Sequence, residues 1–141
     1  MILAIQKLGD LFLKSLQHIL PVLDDDSIDD ILDSRDTDDF SKKWMNAYNE
    51  TKSMTPKQDK EDLELIDTFR KEIFLYTFSK TNSSDLSSYI SDDFDLIASH
   101  LLNLDNNQWV SALWANYLDH KIPEGHLVFT GKTIKELILK N

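Results

Sequence analysis

The side chains of this 141-residue chain that could do chemistry are four histidines and a dense group of aspartates. None of His18, His100, His120 and His126 has another histidine three or four residues away, the spacing that places two ligands on one helical face. Asp119 and His120 are sequence neighbours and point in different directions on a helix. The chain has no cysteine, no Gly-rich phosphate loop, no G-x-S-x-G and no H-E-x-x-H motif. We therefore predict no catalytic residue, metal site or cofactor, and a protein that is not an enzyme.

The aspartates are concentrated between residues 24 and 39, where Arg35 is the only basic residue. They are Asp24, Asp25, Asp26, Asp29, Asp30, Asp33, Asp36, Asp38 and Asp39. A calcium loop is not predicted, because an EF-hand starting at Asp24 would need glycine at the position of Asp29 and glutamate at that of Arg35. Two interpretations remain. Aspartates in a first helical turn meet the positive end of the helix dipole, and dense carboxylates also attract a basic partner and bond to its arginines.

The whole chain is acidic, with 25 acidic and 15 basic residues and a formal net charge of −10. This charge argues against direct binding to nucleic acid or to an anionic membrane and favours a basic protein partner. The absence of cysteine fits a reducing cytoplasm. Charged residues interrupt the apolar N-terminal stretch at helical intervals, and no apolar run is long enough to cross a bilayer. We therefore predict a cytoplasmic protein.

Helical spacing of apolar residues runs through most of the chain, which has only three glycines and three prolines. In the first half, it predicts a helix that ends at Pro21, a short helix capped by Ser27, a third helix capped by Asp36 or Thr37, and a long helix opened by a capping box at residues 55–58. The third helix has Phe40, Trp44, Ala47, Tyr48 and Thr51 on one face. The apolar stripe of the long helix is Leu63, Ile66, Phe69, Ile73 and Tyr76.

In the second half, residues 81–84 predict a turn and a cap. The next cap, at residues 91–93, fits either two short helices or one bent helix. Residues 105–107 cap a helix that ends near residues 122–125, and Thr130 or Thr133 starts a last short helix after a loop that can be extended at residues 127–129. The expected fold is all-α, a single-domain bundle of about six to eight short and medium helices over residues 1–141.

The aromatic residues divide into predicted core and candidate interface. Trp109, Leu113 and Tyr117 follow the i, i+4, i+8 rule, which favours burial. Tyr48 and Tyr89 are the candidates for aromatic residues that lie away from the main core stripe. We therefore predict these two tyrosines as exposed anchors for a partner.

The second half of the chain resembles small helical bacterial immunity proteins of polymorphic toxin systems, including those of contact-dependent growth inhibition. The resemblance covers about residues 60 to 127 and rests on the stretch 89–98 (YISDDFDLIA), on residues 122–125 (IPEG), and on Trp109, Leu113, Trp114 and Tyr117 between them. It implies an antitoxin-like inhibitor that binds a cognate toxin delivered by a neighbouring cell. Such toxins are often basic nucleases, with an RNase favoured here over a DNase. The family has no shared catalytic residues to transfer.

The resemblance and the charge lead to one hypothesis, that an acidic surface covers the active-site cleft of a basic toxin in a 1:1 complex with a monomer of this protein. The predicted partner-binding residues are Asp24, Asp25, Asp26, Asp29, Asp30, Asp33, Tyr48, Tyr89, Asp92 and Asp93. The alternative from another class is an acidic helical adaptor or regulatory subunit, such as a phage or accessory protein, with a basic partner that is not a toxin.

Overall fold

The computed structural model describes residues 1–53 and 59–141, and these form seven α-helices without a strand. The helices are α1 (Ile2–Ile19), α2 (Asp25–Arg35), α3 (Asp38–Ser53), α4 (Lys60–Thr81), α5 (Ser84–Leu102), α6 (Gln108–Leu118) and α7 (Ile134–Lys140). A 3₁₀ turn, Leu20–Val22, follows α1 at Pro21. The all-α prediction and the predicted number of helices are confirmed.

Helix α1 lies at the centre of the bundle and contacts α4, α5, α6 and α7. Its residues Ile5, Leu8, Phe12 and Leu16 are fully buried, as the helical spacing predicts. The Phe12 ring lies 4.4 Å from the Tyr117 ring and 6.0 Å from that of Trp114, measured between centroids. The large aromatic residues of α6 therefore belong to the core, although Trp109 is only half-buried.

Helices α1 and α4 approach each other closely at Gly9. A Cβ atom placed on Gly9 would lie 2.3 Å from the Phe69 ring, far inside van der Waals contact. The missing side chain thus makes room for an aromatic ring of α4.

Several helix ends follow the predicted capping chemistry. Ser83 caps α5 after Asn82 ends α4 in the left-handed conformation, Asn107 caps α6, and Thr133 forms a capping box with Glu136 at the start of α7. Asp105 adds a second cap to α7, because its carboxylate accepts the backbone N–H groups of residues 134 and 135.

Other local predictions need correction. Helix α2 is capped by Asp24, and Ser27 is the reciprocal member of its capping box. Residues 91–93 lie inside the single helix α5 and cap nothing. In α4, Ile66, Phe69 and Ile73 are buried, but Leu63 is 43% exposed. The capping box predicted at residues 55–58 lies outside the described residues, and the described part of α4 starts at Lys60.

Candidate functional site

The aspartates inside α2 share one side of that helix. Asp25, Asp26, Asp29, Asp30 and Asp33, hereafter the acidic face, are all exposed. With about 100° between successive residues, they fall within an arc of about 140°. The opposite side carries the buried Ile28, Ile31 and Arg35. Within the described part of the chain, no acidic-face carboxylate forms an ion pair.

Arg35, the only basic residue among these aspartates, is turned into the core and is 5% exposed. Both of its terminal nitrogens donate to the two carboxylate oxygens of Asp93 on α5, each at 2.7 Å. The positive charge of Arg35 is therefore neutralised inside the protein and does not offset the acidic face.

Asp93 is the centre of a buried network that joins four helices. Besides Arg35 of α2, the indole N–H of Trp44 on α3 donates to it at 2.9 Å, and the hydroxyl of Tyr117 on α6 donates at 2.6 Å. Burial and the adjacent carboxylate raise the pKa of Tyr117 well above its ordinary value. Asp93 is 0% exposed, so it is not available to a partner and does not belong to the surface predicted for it.

A pocket with a volume of about 150 Å³, hereafter the aromatic pocket, opens above this network. Its apolar lining is Phe40, Trp44, Met45 and Tyr89, and its polar lining is Arg35, Asp36, Ser41 and Asp92. The Arg35 guanidinium lies 4.7 Å from the Phe40 ring centroid and 5.2 Å from that of Tyr89.

Two carboxylates border the aromatic pocket, each with a fixed hydrogen bond. The Tyr89 hydroxyl donates to Asp36, and this bond raises the pKa of Tyr89. Arg70 of α4 donates to Asp92 at 2.9 Å and lies 3.7 Å from Asp95. Burial nevertheless raises the pKa of both Asp92 and Asp95, since it outweighs the attraction of the shared Arg70.

The other predicted partner-binding residues lie in three different places. Asp24 is exposed, but it is also the α2 cap, and its bond from the Ser27 N–H lowers its pKa. Tyr89 and Asp92 line the aromatic pocket beside Asp36. Tyr48 does not line this pocket. It stacks on Trp44 at 5.7 Å between centroids and has the Lys52 ammonium 4.7 Å from its ring.

The site also contains four residues that the sequence did not indicate as partner-binding, namely Arg35, Asp36, Phe40 and Trp44. The helical spacing of apolar residues could have indicated the buried ion pair between Arg35 and Asp93. Arg35 follows Ile28 and Ile31 on the apolar stripe of α2, and Asp93 lies on the stripe that carries Leu86, Ile90 and Ile97 in α5. Opposite charges on two apolar stripes indicate a buried ion pair.

The histidines occupy unrelated places. His100 is buried and its Nε2 lies 2.9 Å from the Ala47 carbonyl oxygen, whereas the exposed His18 and His120 rings stack at 4.5 Å between centroids.

No group of three or more histidine or acidic side chains within residues 1–53 and 59–141 is arranged to hold a metal ion. The helices in the same ranges include none that is both long and apolar enough to span a membrane.

The described residues thus form a helical bundle with an acidic face and a neighbouring aromatic pocket, which are features that suit a binding protein. The profile of the family "Immunity protein PIM1" matches residues 9–124, most of the chain. The chain therefore belongs to this immunity-protein family, which supports a toxin-neutralising function. Families of this kind are generally not enzymes. No curated protein matches the sequence.

Proposed function

We propose that this protein neutralises a cognate toxin by placing the acidic face of α2 over a basic active-site cleft. One observation carries the proposal. All five carboxylates of the acidic face are exposed, while the only basic residue of the same segment is buried in an ion pair with Asp93. The electrostatic potential on the exposed side of α2 is therefore negative, because the basic side chain of this helix does not offset the carboxylates.

The acidic face is suited to a partner whose own ligand is a polyanion. A nuclease cleft is lined with lysine and arginine residues that bind phosphates, and closely spaced carboxylates offer these side chains alternative acceptors. The proposed target is consequently a basic nuclease domain, with an RNase favoured over a DNase. Occupation of the cleft would prevent the nucleic acid from entering.

Further carboxylates extend the acidic face at both ends. Asp24 precedes α2 and Asp36 follows it, and both are exposed. Asp25 and Asp29 also line a depression with Asp85 at the start of α5. A partner that contacts α2 would thus meet carboxylates from two separate helices, which favours electrostatic steering and a defined orientation.

The proposed complex contains one copy of each protein and forms in the cytoplasm, where nucleic acid substrates are present. The test uses the partner protein that copurifies with this protein, in tagged form, from the cells that produce it; the partner is then purified alone and assayed on RNA and on DNA. Addition of an equimolar amount of this protein should abolish cleavage. A partner without nuclease activity, or cleavage that continues in the stable complex, would overturn the cleft-covering proposal.

A further inference from the structure

The aromatic pocket lies beside the acidic face, since its lining residue Asp36 is exposed and follows the last acidic-face residue, Asp33, by three positions, nearly one helical turn. We propose that this pocket is the anchor site for one basic side chain of the toxin, an arginine, with its guanidinium between the carboxylates of Asp36 and Asp92. This inference rests on the proposed function, because it assigns one contact within the same interface.

The charges around the aromatic pocket favour a cation in spite of Arg35. Asp93 neutralises Arg35 through a bidentate pair at 2.7 Å. Arg70 is shared between Asp92 and Asp95, which leaves one negative charge in that group, and Asp36 contributes another. Asp36 bonds to the neutral Tyr89 hydroxyl. The pocket therefore carries an excess of negative charge at its mouth.

The shape and the lining of the aromatic pocket match a side chain with an apolar stem and a charged planar end. Phe40, Trp44, Met45 and Tyr89 supply apolar and aromatic surface for the methylene groups. Met45 is 45% exposed, and its flexible thioether can adapt to a bound group. The volume of about 150 Å³ is similar to that of an engineered cavity that admits benzene. A guanidinium, in addition, can bond to two carboxylates at once with its fixed set of donors.

The pocket is held in place before any partner binds. Trp44 is fixed through its bond to Asp93, and the Arg35 guanidinium is in contact with the Phe40 and Tyr89 rings. A preformed site loses little conformational entropy on binding, so an anchor here would contribute to affinity more than a flexible surface contact. Arginine and the aromatic residues tryptophan and tyrosine are enriched among interface hot spots.

The test uses the intact protein alone, with N-acetyl-arginine methylamide as the probe and its uncharged analogue, N-acetyl-citrulline methylamide, as the control. The indole N–H signal of Trp44 reports on the pocket by NMR and is assigned with the Trp44→Phe variant. A probe of this size is expected to bind with a dissociation constant on the order of millimolar. The Trp44 signal should shift and saturate with the arginine probe and respond at least about tenfold more weakly to citrulline.

Two double variants distinguish binding in the aromatic pocket from an effect of the protein's net charge. Asp36→Asn with Asp92→Asn should abolish saturation, whereas Asp119→Asn with Glu124→Gln changes the net charge equally outside the pocket and should preserve it. Equal shifts with both probes, no saturation by the arginine probe, or equal loss in both double variants would overturn the inference. Since no toxin is present, these outcomes are independent of whether the partner is a nuclease.

Discussion

The carboxylate of Asp93 on α5 and the guanidinium of Arg35 on α2 form a buried bidentate pair with two nitrogen–oxygen distances of 2.7 Å. The two residues are 58 positions apart in the chain, so the pair fixes α2 on the bundle by a contact distant in sequence. It also hides the only cation among the aspartates of residues 24–39. One interaction thereby orients α2 and leaves its exposed side uniformly acidic.

Asp93→Ala should strongly destabilise the protein, because it leaves the buried Arg35 charge unpaired and removes the acceptor of Trp44 and Tyr117. Breaking one partner of a buried ion pair costs about 3–5 kcal/mol, a large part of the stability of a small domain. Urea unfolding measures the loss. Asp30→Ala, on the exposed side of α2 and beyond its first turn, is the control and should change stability by less than about 0.5 kcal/mol. A loss below about 1 kcal/mol for Asp93→Ala would contradict the assigned network.

Stability should fall at alkaline pH because the pKa of Tyr117 is raised in the folded state. Above the ordinary tyrosine pKa of about 10, the unfolded chain releases this proton while the folded protein retains it. The stabilisation is thus fully present below about pH 10 and is lost as the pH rises toward the folded-state pKa. In Tyr117→Phe, the free energy of unfolding should be lower at neutral pH but decline less steeply above about pH 10. Equal slopes for the two proteins would contradict the raised pKa.

Asp95→Asn should leave the fold intact and slightly increase stability at neutral pH. The pKa of Asp95 is raised because burial outweighs the attraction of Arg70, so ionisation costs more in the folded protein than in the unfolded chain. Its contribution is therefore most favourable below the ordinary carboxyl pKa and is lost as the pH rises through the folded-state value. The stability difference between variant and wild type should be larger at about pH 7 than at about pH 3. A variant less stable than wild type at pH 7 would contradict this prediction.

Gly9→Ala tests the close approach of α1 and α4. Alanine favours a helix over glycine by about 1 kcal/mol, but its Cβ would overlap the buried Phe69 ring. Overpacking typically costs about 1–3 kcal/mol, so we expect a net loss of about 1 kcal/mol in thermal or urea unfolding. The exposed Lys7→Ala in the same helix should be nearly neutral. A more stable Gly9→Ala protein would show that Phe69 moves aside without cost.

Local sequence patterns were sufficient to predict much of the fold. The spacing of Ile5, Leu8, Phe12 and Leu16 correctly predicts the buried side of α1, and the caps at Ser83, Asn107 and Thr133 are where turn chemistry predicts them. These features depend on residues at most a few positions apart. Such short-range rules are the most reliable part of sequence interpretation.

The candidate site was harder to predict because it depends on long-range pairing. Asp92 and Asp93 are adjacent and chemically identical, yet Asp92 reaches the surface and Asp93 bonds to residues on three other helices. Only the helical rotation of about 100° between them, together with the position of Arg35, decides which one is buried. Similarly, the aromatic pocket combines residues from α2, α3 and α5, and no local pattern brings these together.

The acidic face of α2 is proposed to attract a basic toxin and to cover its active-site cleft. The most direct measurement is the association rate constant with the purified toxin domain over a range of salt concentrations, for wild type and for the variant with Asn at all five acidic-face positions. A matched variant carries Asn or Gln at Asp10, Asp67, Glu72, Asp119 and Glu124, which are also exposed. The acidic-face variant should associate at least about tenfold more slowly at low salt and with a weaker salt dependence, while the matched variant should stay close to wild type. Equal rates and salt slopes for the two variants would contradict the role of the acidic face.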